Sequence, residues 1–589
     1  MIVPMRKMTF IGVESDKARF VERLQEVGVV HLVHPKEAVE PQELAKELAR
    51  VKETHKFLGS RVVQEKTKES LDSQAICAKR EDLAQREGRL LGEIAALKKE
   101  MSLQEVWGDC NVEDLQALGQ KGLHVQFFRV SEKVFETLPL KEVYHRVVGV
   151  SRGETCFVTA SFEPAPLTIP EEKSPSKNLS TIQGELDAKG EELKEIEAEY
   201  TRLAAHLETL KRTEAELTDL LEYRRAVLNA GSELGGHLFT IKCWSPLPEE
   251  ELMKKVGHSF SLYHYSEDPL KSDRVPVLLT NKRALDSGQD LVTVYSYPSY
   301  WDFDPSGFVL YFFALFFGFI VGDAGYGLAL FAITVLLSRK VKSRSPFTVR
   351  FFRLMYLLSV SVVICGIISA GYFGIKITPD NPLSKLSLLN FNTKEGQDAA
   401  MILSIIIGMI HISLSHLINF KKNREYASLG WVVVIWSGFF LVSSEMKRGV
   451  GNPAATYAMV VGLIAVMIFS SSKKNLLLRI LAGLNGLLGI VQVFSDVLSY
   501  LRLFALGIAT VYMAHTFNML AGNIIKGLPW IGYIFAVPIL IAGHFVNLML
   551  AVMGGIVHGL RLNFLEWYRW CFVGDGVLYK PFRLRKLKE

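Results

Sequence analysis

Two arginines near the C-terminal end of the chain stand inside long apolar runs. Between residues 481 and 520 the only charged side chains are Asp496 and Arg502. An arginine at the bilayer centre costs at least ~2.5–3.5 kcal/mol on insertion scales, so such a residue usually faces a partner or a water-filled path. Steps of three and four residues place on one helical face Gln492, Ser495, Ser499, Arg502, Leu506 and Ala509. That face is polar before Arg502 and apolar or small after it. This is the pattern expected of a water-filled path that crosses half of the membrane, here called a half-path, and ends at a fixed positive charge.

A second apolar run carries a matching stripe around Arg561. Its members, again at steps of three and four, are His544, Asn547, Ala551, Gly554, His558, Arg561 and Leu565. From His544 to Arg561 the stripe covers roughly 26 Å at 1.5 Å per residue, most of a bilayer core. Helix packing is the better explanation of Ala551 or Gly554 taken singly. Two arginines on polar stripes of neighbouring spans favour a functional site instead, because charged residues are rare in such spans.

Other polar residues of the apolar half each have a structural alternative, a hydrogen bond between helices. The candidates for lining a path are Gln492, Ser495, Ser499, His544, Asn547, His558 and Glu566. Asp496 and Asp323 are weaker candidates, and Asp323 stands among glycines, where a turn or cap is the more common role. His411 and His416 lie five residues apart and do not share a helical face, which favours a structural role for both.

The two halves of the chain differ in composition. Of 589 residues, 1–300 are rich in charge, whereas 306–570 consist mostly of apolar runs joined by short basic loops. Those loops account for the net charge of +6, and no basic cluster is interleaved with aromatics, so nucleic-acid binding is set aside. Six scattered cysteines without a CxxC pair predict neither a disulfide scaffold nor a zinc site. Residues 1–9 lack the apolar segment of a cleaved signal peptide.

The pattern of the charged half predicts two small α/β lobes joined by a long helical rod. Strand, helix and strand patterns at 5–13, 15–27 and 28–33, and again at 237–246, 249–256 and 259–265, predict a membrane-proximal lobe made of residues 1–36 and 235–290. Residues 107–170 predict a distal lobe whose clearest strands are 122–130 and 155–162. Residues 286–289 are predicted as a loop, and residues 295–305 lead into the membrane half.

A coiled coil is predicted for residues 40–105 and 178–230. Apolar residues recur at steps of three and four from Ile182 to Leu221, and only Lys189 and Glu214 interrupt them. The run over residues 179–228 would be roughly 75 Å long at 1.5 Å per residue. The expected partner is the chain's own earlier helical run, packed antiparallel; a parallel homodimer through this segment is the alternative.

Residues 301–589 are predicted to form a membrane domain of about eight spans that ends in a short cytoplasmic tail. The spans are 306–321, 324–338, 350–374, 401–420, 428–445, 454–471, one within 481–522 and one within 531–569. One span over the first two segments is the alternative. Eight spans put the basic loops, the N-terminal half and the C-terminus on one side, which the positive-inside rule makes the cytoplasm. The last two helices are each near 40 residues, so they must tilt or project beyond the bilayer.

Several motifs resemble a known family, the a subunit of rotary V-type and A-type ATPases, called subunit I in bacteria. The motifs are Ser499-Tyr-Leu-Arg-Leu-Phe-Ala-Leu506, Val557-His-Gly-Leu-Arg-Leu-Asn-Phe-Leu-Glu566, Phe317-Gly-Phe-Ile-Val-Gly-Asp-Ala-Gly-Tyr-Gly327 and Pro276-Val-Leu-Leu-Thr-Asn281. The order lobe, rod, lobe, rod, lobe matches as well, so the resemblance covers the whole chain. Ser296 stands where the family often has glycine, His515 has no matching family position, and residues 376–400 form an outer loop without an interpretation.

The resemblance implies a stator subunit that carries an ion path. In this family a rotating ring of small proteolipids, each with one carboxylate, turns against two long helices, and two offset half-channels connect that carboxylate to opposite sides. Arg502 would be the central arginine and Arg561 its partner. The implied partners are the proteolipid ring, peripheral-stalk subunits at both lobes, membrane lipids and, as a further candidate, the central-rotor collar. Nucleotide hydrolysis would lie on other subunits, since this chain has no GxxxxGK[ST] motif, and no cofactor or metal is expected.

Helix direction predicts how the candidates divide between the two half-paths. With both termini in the cytoplasm, Gln492, Ser495, Ser499, His558 and Glu566 border the cytoplasmic half-path, and His544 and Asn547 border the outer one. Two rival classes are a secondary transporter of an anionic substrate and a coiled-coil membrane tether. The first would not need a lobed rod of 300 residues, and the second would not need buried arginines. The choice between proton and sodium rests largely on the ring, and the direction of the complex, pump or synthase, stays open.

Overall fold

The computed structural model describes residues 1–585 except 34, 36–38, 62–70, 141–142, 152, 165–166, 258–259, 342–344, 377–386, 449–451, 471–482, 484–485 and 529. Predicted features at Val62, at the basic residues 342–344 and 473–474, and in much of the outer loop lie outside the described residues.

A lobe built from both ends of the charged half carries an antiparallel sheet with two helices. Its elements are β1 Arg6–Val13, α1 Lys17–Val27, β2 His31–Leu32 and, after the rod, β6 Gly231–Glu233, β7 Leu238–Ser245, α8 Glu249–Val256, β8 Leu262–Glu267 and β9 Pro276–Val277. The strand order of the sheet is β2-β7-β1-β8, with β6 beside β7 and β9 outside it. Alternate residues Met8 and Phe10 of β1 point to Phe20 and Leu24 of α1 in one core.

The C-terminal tail belongs to this lobe rather than hanging free as a short tail. Strand β10, Val577–Leu578, pairs in parallel with β9. Phe582 is buried in the lobe core, and its N–H donates to Val30 O at 2.7 Å. Arg585 reaches Asp219 Oδ1 at 3.7 Å. The chain therefore connects the last membrane helix directly to the first strands.

An antiparallel coiled coil forms within the chain, as predicted. Its helices are α2 Gln42–Gly59, α3 Ser73–Gln104, α6 Leu179–Leu203 and α7 Leu207–Leu228. Helix α2 packs on α7, and α3 packs on α6. The two polar interruptions of the seam are paired across it: Lys189 Nζ lies 2.5 Å from Glu93, and Glu214 lies 2.8 Å from His55 Nδ1. These pairs explain why two polar residues occupy seam positions, and they favour the intrachain partner over a parallel homodimer.

Two details of the rod were not predicted from the periodicity. A 3-10 turn at Ala204–His206 separates α6 from α7. The first turns of α3 also lie beside α2, where Arg80 contacts Glu53 at 2.7 Å and Arg50 contacts Glu81 at 2.6 Å. The periodicity gave no signal for either detail, because both depend on how helices from different parts of the chain pack.

The second lobe, predicted distal, is a three-stranded antiparallel sheet with one flanking helix. Its elements are α4 Val112–Gln120, β3 His124–Ser131, the short helix α5 Glu132–Phe135, β4 Tyr144–Ser151 and β5 Glu154–Ser161, in the strand order β3-β5-β4. Phe128 and Phe157 stack in its core with ring centroids 5.4 Å apart. Strand β4 was not predicted. Its alternation breaks at a bulge between Val147 and Gly149, which obscures the period of two in the sequence.

A helix stands where a loop was predicted at residues 286–289. Helix α9, Asp286–Tyr295, includes Gly288, which had been taken as a loop signal. The glycine serves close packing instead, because a Cβ at that position would lie 2.2 Å from Ser306 O at the start of the next helix. Arg350 and Arg353 of a later helix bind Asp290 and Asp286 of α9 at 2.7 and 2.6 Å.

The apolar half is an α-helical membrane domain. Its helices are α10 Ser306–Val321, α11 Ala324–Lys340, α12 Pro346–Ser369, α13 Lys394–Asn423, α14 Tyr426–Arg448, α15 Pro453–Phe469, α16 Gly489–Leu498, α17 Leu501–Gly527, α18 Ile531–Arg561 and α19 Tyr568–Cys571. Among the described residues, five segments are long and apolar enough to cross a membrane: Pro346–Ser369, Lys394–Asn423, Tyr426–Ser444, Gly489–Gly527 and Ile531–Cys571. Ser306–Val321 and Pro453–Phe469 are shorter apolar helices. The total of eight spans stays a prediction.

The first two apolar segments are separate helices, not one long helix. Gly322 ends α10 in the left-handed conformation, with a φ of 54°. Asp323 then caps α11, since its Oδ1 accepts the Tyr326 N–H at 3.0 Å. Both helices pack on α12. The structure therefore gives Asp323 the cap role that its glycine neighbours suggested.

Each of the two long helices is interrupted beside its arginine. Helices α16 and α17 meet at Ser499–Tyr500, where Leu503 N bonds to Tyr500 O three residues back, at 2.9 Å. Helix α18 continues into a π-helix at Leu562–Trp567 before α19. Such irregular turns are frequent at functional sites. The two helices near 40 residues that the sequence predicted are present, as segments of 39 and 41 residues. The irregular turns within them were not predicted, and they affect where the polar side chains point.

Candidate functional site

Glu566 brings the two arginines together. Its Oε1 lies 3.8 Å from Arg502 Nη1 and 3.5 Å from Arg561 Nε. The side chain of Glu566 is 5% exposed, that of Arg502 22% and that of Arg561 48%. One carboxylate thus bridges α17 and the end of α18, and the chain leaves Arg561 half open on its surface. We refer to Arg502, Arg561, Glu566 and His558 as the arginine cluster.

The π-helix explains why Glu566 reaches this position. In a regular α-helix, residues five apart point about 140° away from each other. Within the π-helix the backbone bonds five residues back, which brings Glu566 towards the side of Arg561. The stripe drawn from the sequence continued from Arg561 to Leu565, which is 46% exposed. Glu566, a half-path candidate outside that stripe, reaches both arginines through the π-helix.

Several polar atoms of the arginine cluster lack a partner. Arg502 Nη1, Glu566 Oε2 and His558 Nδ1 are buried and have no hydrogen-bond partner among the described residues. Two guanidinium groups carry two positive charges against one carboxylate, because arginine cannot be deprotonated in proteins. Buried polar groups are almost always hydrogen-bonded, so orphaned atoms indicate missing water or a missing partner. The cluster has one positive charge in excess and atoms free to bind an anion.

A second acidic residue, Asp496, organises the polar start of the same helix pair. Gln492 Nε2 donates to its Oδ1 at 2.7 Å, and Trp570 Nε1 donates to its Oδ2 at 2.9 Å. Arg569 Nη1 lies 3.4 Å from Oδ1. Sequence reasoning missed Trp570 and Arg569, because the π-helix shifts the register in which they follow Arg561. Asp496, a weaker candidate from the sequence, is thus buried and fully engaged.

The two serines of the first stripe are placed differently from Gln492. Ser495 is exposed, and Ser499 Oγ donates to the Ser495 carbonyl oxygen at 2.9 Å, a bond within the helix. An open cleft of about 610 Å³ is lined by Tyr295, Phe564, Tyr568, Arg569 and Phe572, among others. Arg569, which contacts Asp496, links this cleft to the Asp496 group.

His544 and Asn547 belong to a separate hydrogen-bonded group, which we call the outer network. Asn547 Nδ2 donates to Tyr326 OH at 3.0 Å and to Thr510 O at 2.9 Å. Tyr326 OH lies 2.7 Å from His544 Nδ1, and His544 Nε2 lies 3.0 Å from Asn518 Oδ1. Because Tyr326 OH already accepts from Asn547, we assign its proton to the bond with His544 Nδ1, so that His544 Nε2–H donates to Asn518.

The outer network includes two side chains that were not predicted. Tyr326 follows Asp323 in the hairpin motif, and Asn518 lies on α17. Tyr326 lies within the hairpin motif, but nothing in its sequence position shows that it meets His544, 218 residues later. The motif was therefore a usable signal for a role of Tyr326, and no local signal existed for Asn518.

Aromatic packing separates the outer network from the arginine cluster along α18. Between Asn547 and Arg561, roughly 21 Å apart at 1.5 Å per residue, Ala551 is buried in an aromatic-rich core with Phe313 and Phe317. A Cβ on Gly555 would lie 2.7 Å from the Phe317 ring. A Cβ on Gly554, in contrast, would meet no atom of another element within 4 Å. The packing role that the sequence suggested for Gly554 is therefore taken by Gly555, and Gly554 lies on an open side of the helix.

The sequence analysis also singled out three histidines that belong to neither group. His411 and His416 are buried, and His416 lies 4.7 Å from the Trp570 ring. His515 is partly exposed on α17. No group of three or more His, Cys, Asp or Glu side chains that could hold a metal ion occurs in the described part of the chain.

Comparison with known proteins finds relatives named as subunit I of ATP synthases. "V-type ATP synthase subunit I" of Chlamydia trachomatis is 25% identical, and the alignment covers 99% of this chain and 98% of the relative. "V-type ATP synthase subunit I 1" of Treponema pallidum is 26% identical and is covered completely by 99% of this chain. "A-type ATP synthase subunit I" of Methanocaldococcus jannaschii is 28% identical, over 70% of this chain and 65% of the relative.

Two further comparisons add little. No family model matches the chain. A crystal structure described as the cytoplasmic N-terminal domain of subunit I, homolog of subunit a, of V-ATPase covers 44% of this chain at 15% identity, and its TM-score of 0.20 is too low to support an inference. The relatives alone confirm the resemblance to subunit I, over nearly the whole chain for the V-type proteins and over 70% of it for the A-type protein.

Proposed function

We propose that this chain is the membrane-embedded stator subunit of a V-type or A-type rotary ATPase and that it forms the ion half-channels against a ring of proteolipids. The full-length similarity to proteins named subunit I supports the coarser statement, a membrane subunit of such a complex. The arginine cluster supports the finer statement, since its charge and open atoms match one carboxylate from outside the chain. ATP chemistry is assigned to other subunits.

The single observation that carries this proposal is the unequal charge of the arginine cluster. Two arginines face one carboxylate, and Arg502 Nη1 has no hydrogen-bond partner among the described residues. Within an apolar domain, an excess positive charge favours an approaching carboxylate in its ionised form. A ring carboxylate that reaches Arg502 would therefore release its ion there. Arg502 cannot accept the released proton, so it also acts as a barrier between the two half-paths.

The two polar groups on either side of this barrier are assigned to the two half-paths. The Asp496 group with Gln492, the nearby cleft, and the candidates Ser495, Ser499, His558 and Glu566 form the proposed cytoplasmic half-path. The outer network with His544 and Asn547 forms the proposed outer half-path, and Asp323 lies beside it as the cap of α11. The aromatic packing around Ala551 supports the offset, because it leaves no polar side chain between the two groups along that described face of α18.

The complex around the chain is proposed from the same resemblance. The open side of α18, with Gly554 and the half-exposed Arg561, would face the proteolipid ring. The lobe of residues 107–170 would bind a peripheral stalk at the far end of the rod, and the first lobe would bind a stalk or the central-rotor collar. We propose a multi-pass protein of a prokaryotic cell membrane with both termini in the cytoplasm.

The test is to replace Arg502 in the intact complex. Arg502→Ala should abolish ATP-driven ion uptake into reconstituted vesicles while the complex still assembles. Arg502→Lys should fail as well, because lysine is a compact ammonium that loses its charge readily on desolvation and cannot reproduce the guanidinium fork. Lys526→Ala, which removes an exposed cation at the end of the same helix, is the matched control and should transport normally.

The proposal fails if the Arg502→Ala complex moves ions at the wild-type rate. The composition of the purified complex separates the rival classes. A ring of small proteolipids and catalytic subunits should copurify with the chain, whereas a secondary transporter or a membrane tether would bring neither.

A further inference from the structure

A buried tyrosine stands at the interruption that precedes Arg502. Tyr500 lies between α16 and α17 and is 0% exposed. At this junction the backbone bonds three residues back, from Tyr500 N to Val497 O at 3.2 Å and from Leu503 N to Tyr500 O at 2.9 Å. Such i→i−3 bonds mark a tightened turn with poorer hydrogen-bond geometry than an α-helix. The direction in which α17 presents Arg502 therefore depends on what holds Tyr500.

His411 of α13 holds this tyrosine. Its Nδ1 lies 2.7 Å from Tyr500 OH, and it is 0% exposed. The close approach of the two helices requires Gly408, one helical turn before His411, because a Cβ there would lie 2.6 Å from the Tyr500 ring. A neighbouring helix is thus shaped to receive one side chain of the junction and to bind its hydroxyl group.

The same histidine also contacts the second interruption. Its ring stacks on Trp567, with ring centroids 5.2 Å apart and planes 3° apart. Trp567 ends the π-helix and directly follows Glu566. Phe312 and Phe316 of α10 close the pocket around His411, at 4.0 and 5.2 Å between centroids. One buried imidazole therefore touches both irregular segments, one of which carries Arg502 and the other Glu566.

We propose that His411 and Tyr500 are positioning residues that hold the Ser499–Tyr500 junction and the π-helix in register, so that Arg502 and Glu566 stay at ion-pair distance. This inference rests on the proposed function, since the register matters only if the arginine cluster meets the ion path. The Arg502–Glu566 contact is long, at 3.8 Å, and has no hydrogen bond of its own. The geometry of the cluster is therefore set by the backbone segments beneath it, and both segments rest on His411.

If His411 and Tyr500 merely filled the core, substituting them would change the amount of assembled complex and not its coupling. The readout is therefore the number of ions moved per ATP hydrolysed by the intact complex in vesicles, with rates normalised to the amount assembled. Tyr500→Phe keeps the ring and removes the hydroxyl group that binds His411. We expect its coupling ratio to fall about fivefold, in the range that loss of one buried hydrogen bond supports. The control is Tyr512→Phe on α17, which removes a hydroxyl group that accepts a hydrogen bond from Gln397 Nε2 of α13. This variant should keep the wild-type ratio.

Substitution of the histidine tests the pair from the other side. His411→Leu should lower the coupling ratio as Tyr500→Phe does, and His411→Gln, which keeps a hydrogen-bonding group within reach of Tyr500, should recover part of the loss. The double variant that combines His411→Leu with Tyr500→Phe should be no worse than the worse single variant, because both substitutions remove one interaction. Additive losses, or a wild-type coupling ratio in assembled Tyr500→Phe complexes, would overturn the proposal.

The Arg502→Ala complex separates this inference from the proposed function. If Arg502→Ala abolishes transport and Tyr500→Phe couples normally, the ion path stands and the positioning role is wrong. If Arg502→Ala transports normally, the proposed function itself has failed. If Tyr500→Phe lowers assembly alone and leaves the ratio of the assembled fraction unchanged, the pair only fills the core and the positioning role is again wrong.

Discussion

The outer network and the arginine cluster use similar polar residues in opposite ways. In the outer network, both ring nitrogens of His544 and the amide nitrogens of Asn547 and Asn518 have partners within the chain. In the arginine cluster, Arg502 Nη1 and Glu566 Oε2 have none among the described residues. A fully bonded network is complete within the chain, whereas orphaned buried atoms are open to water or to a partner from outside the fold.

In the proposed ion path, the outer network and the arginine cluster also have different requirements. In the outer network, the Tyr326 hydroxyl group and the His544 ring can exchange a proton, whereas the amides of Asn547 and Asn518 only orient them. Under the proposed function, the arginine cluster receives a negative group from outside, because Glu566 alone does not balance the two guanidinium charges. Experiments that treat the two groups alike should therefore give different results.

The largest expected difference is the side from which each group is reached. Ser495→Cys should react with an impermeant thiol reagent only from the cytoplasm, and His544→Cys only from outside, because the proposed half-paths open to opposite sides. Mass analysis of the labelled subunit measures this. Five of the six native cysteines are buried, and Cys110, which is partly exposed, is replaced by serine in both variants. Labelling of position 495 from outside alone, or of position 544 from the cytoplasm alone, would contradict the assignment.

Loss of the bridging carboxylate should have the next largest effect. Glu566→Gln removes the one carboxylate that the described residues place at ion-pair distance from Arg502 and Arg561. We therefore expect ATP-driven uptake to fall by about tenfold or more, as for breaking a buried ion pair. Glu425→Gln makes the same change at an exposed carboxylate between α13 and α14, away from the site, and should have little effect. Wild-type uptake by Glu566→Gln would show that this carboxylate has no part in the site.

Loss of one hydroxyl group from the outer network should have the smallest effect. Tyr326→Phe orphans His544 Nδ1 and one donor of Asn547, and unsatisfied buried groups cost about 1–3 kcal/mol each. We expect a lower melting temperature of the complex and a loss of transport of a few fold. Tyr356→Phe removes a hydroxyl group paired with Ser338 elsewhere in the membrane domain and controls for the loss of a hydroxyl group as such. Equal effects of the two variants on transport would deny the network a role in the ion path.

Periodicity and charge already determined much of the molecule. The seam of the rod predicted a helical partner, with the chain's own earlier run, packed antiparallel, as the first choice and a parallel homodimer as the alternative. The partners of Lys189 and Glu214 across the seam came only from the structure. The isolated charges at 502 and 561 marked two helices as functional, because burial of an unpaired arginine costs too much to persist without a use. The distribution of basic loops favoured two spans over one at residues 306–338, and the structure ends α10 at Gly322 in the left-handed conformation that glycine adopts readily.

Tertiary structure decided what local pattern does not encode. The helix at residues 286–295 exists because the backbone of Ser306 packs against Gly288, and the tail enters the first lobe because Phe582 completes its core. The π-helix and the Ser499–Tyr500 junction change the face of every polar residue beyond them, yet a helical wheel assumes a constant turn of 3.6 residues. Such interruptions are stabilised by contacts with distant residues such as His411. Which side chains meet at the arginine cluster therefore depended on how separate helices pack, and no spacing within one helix could specify it.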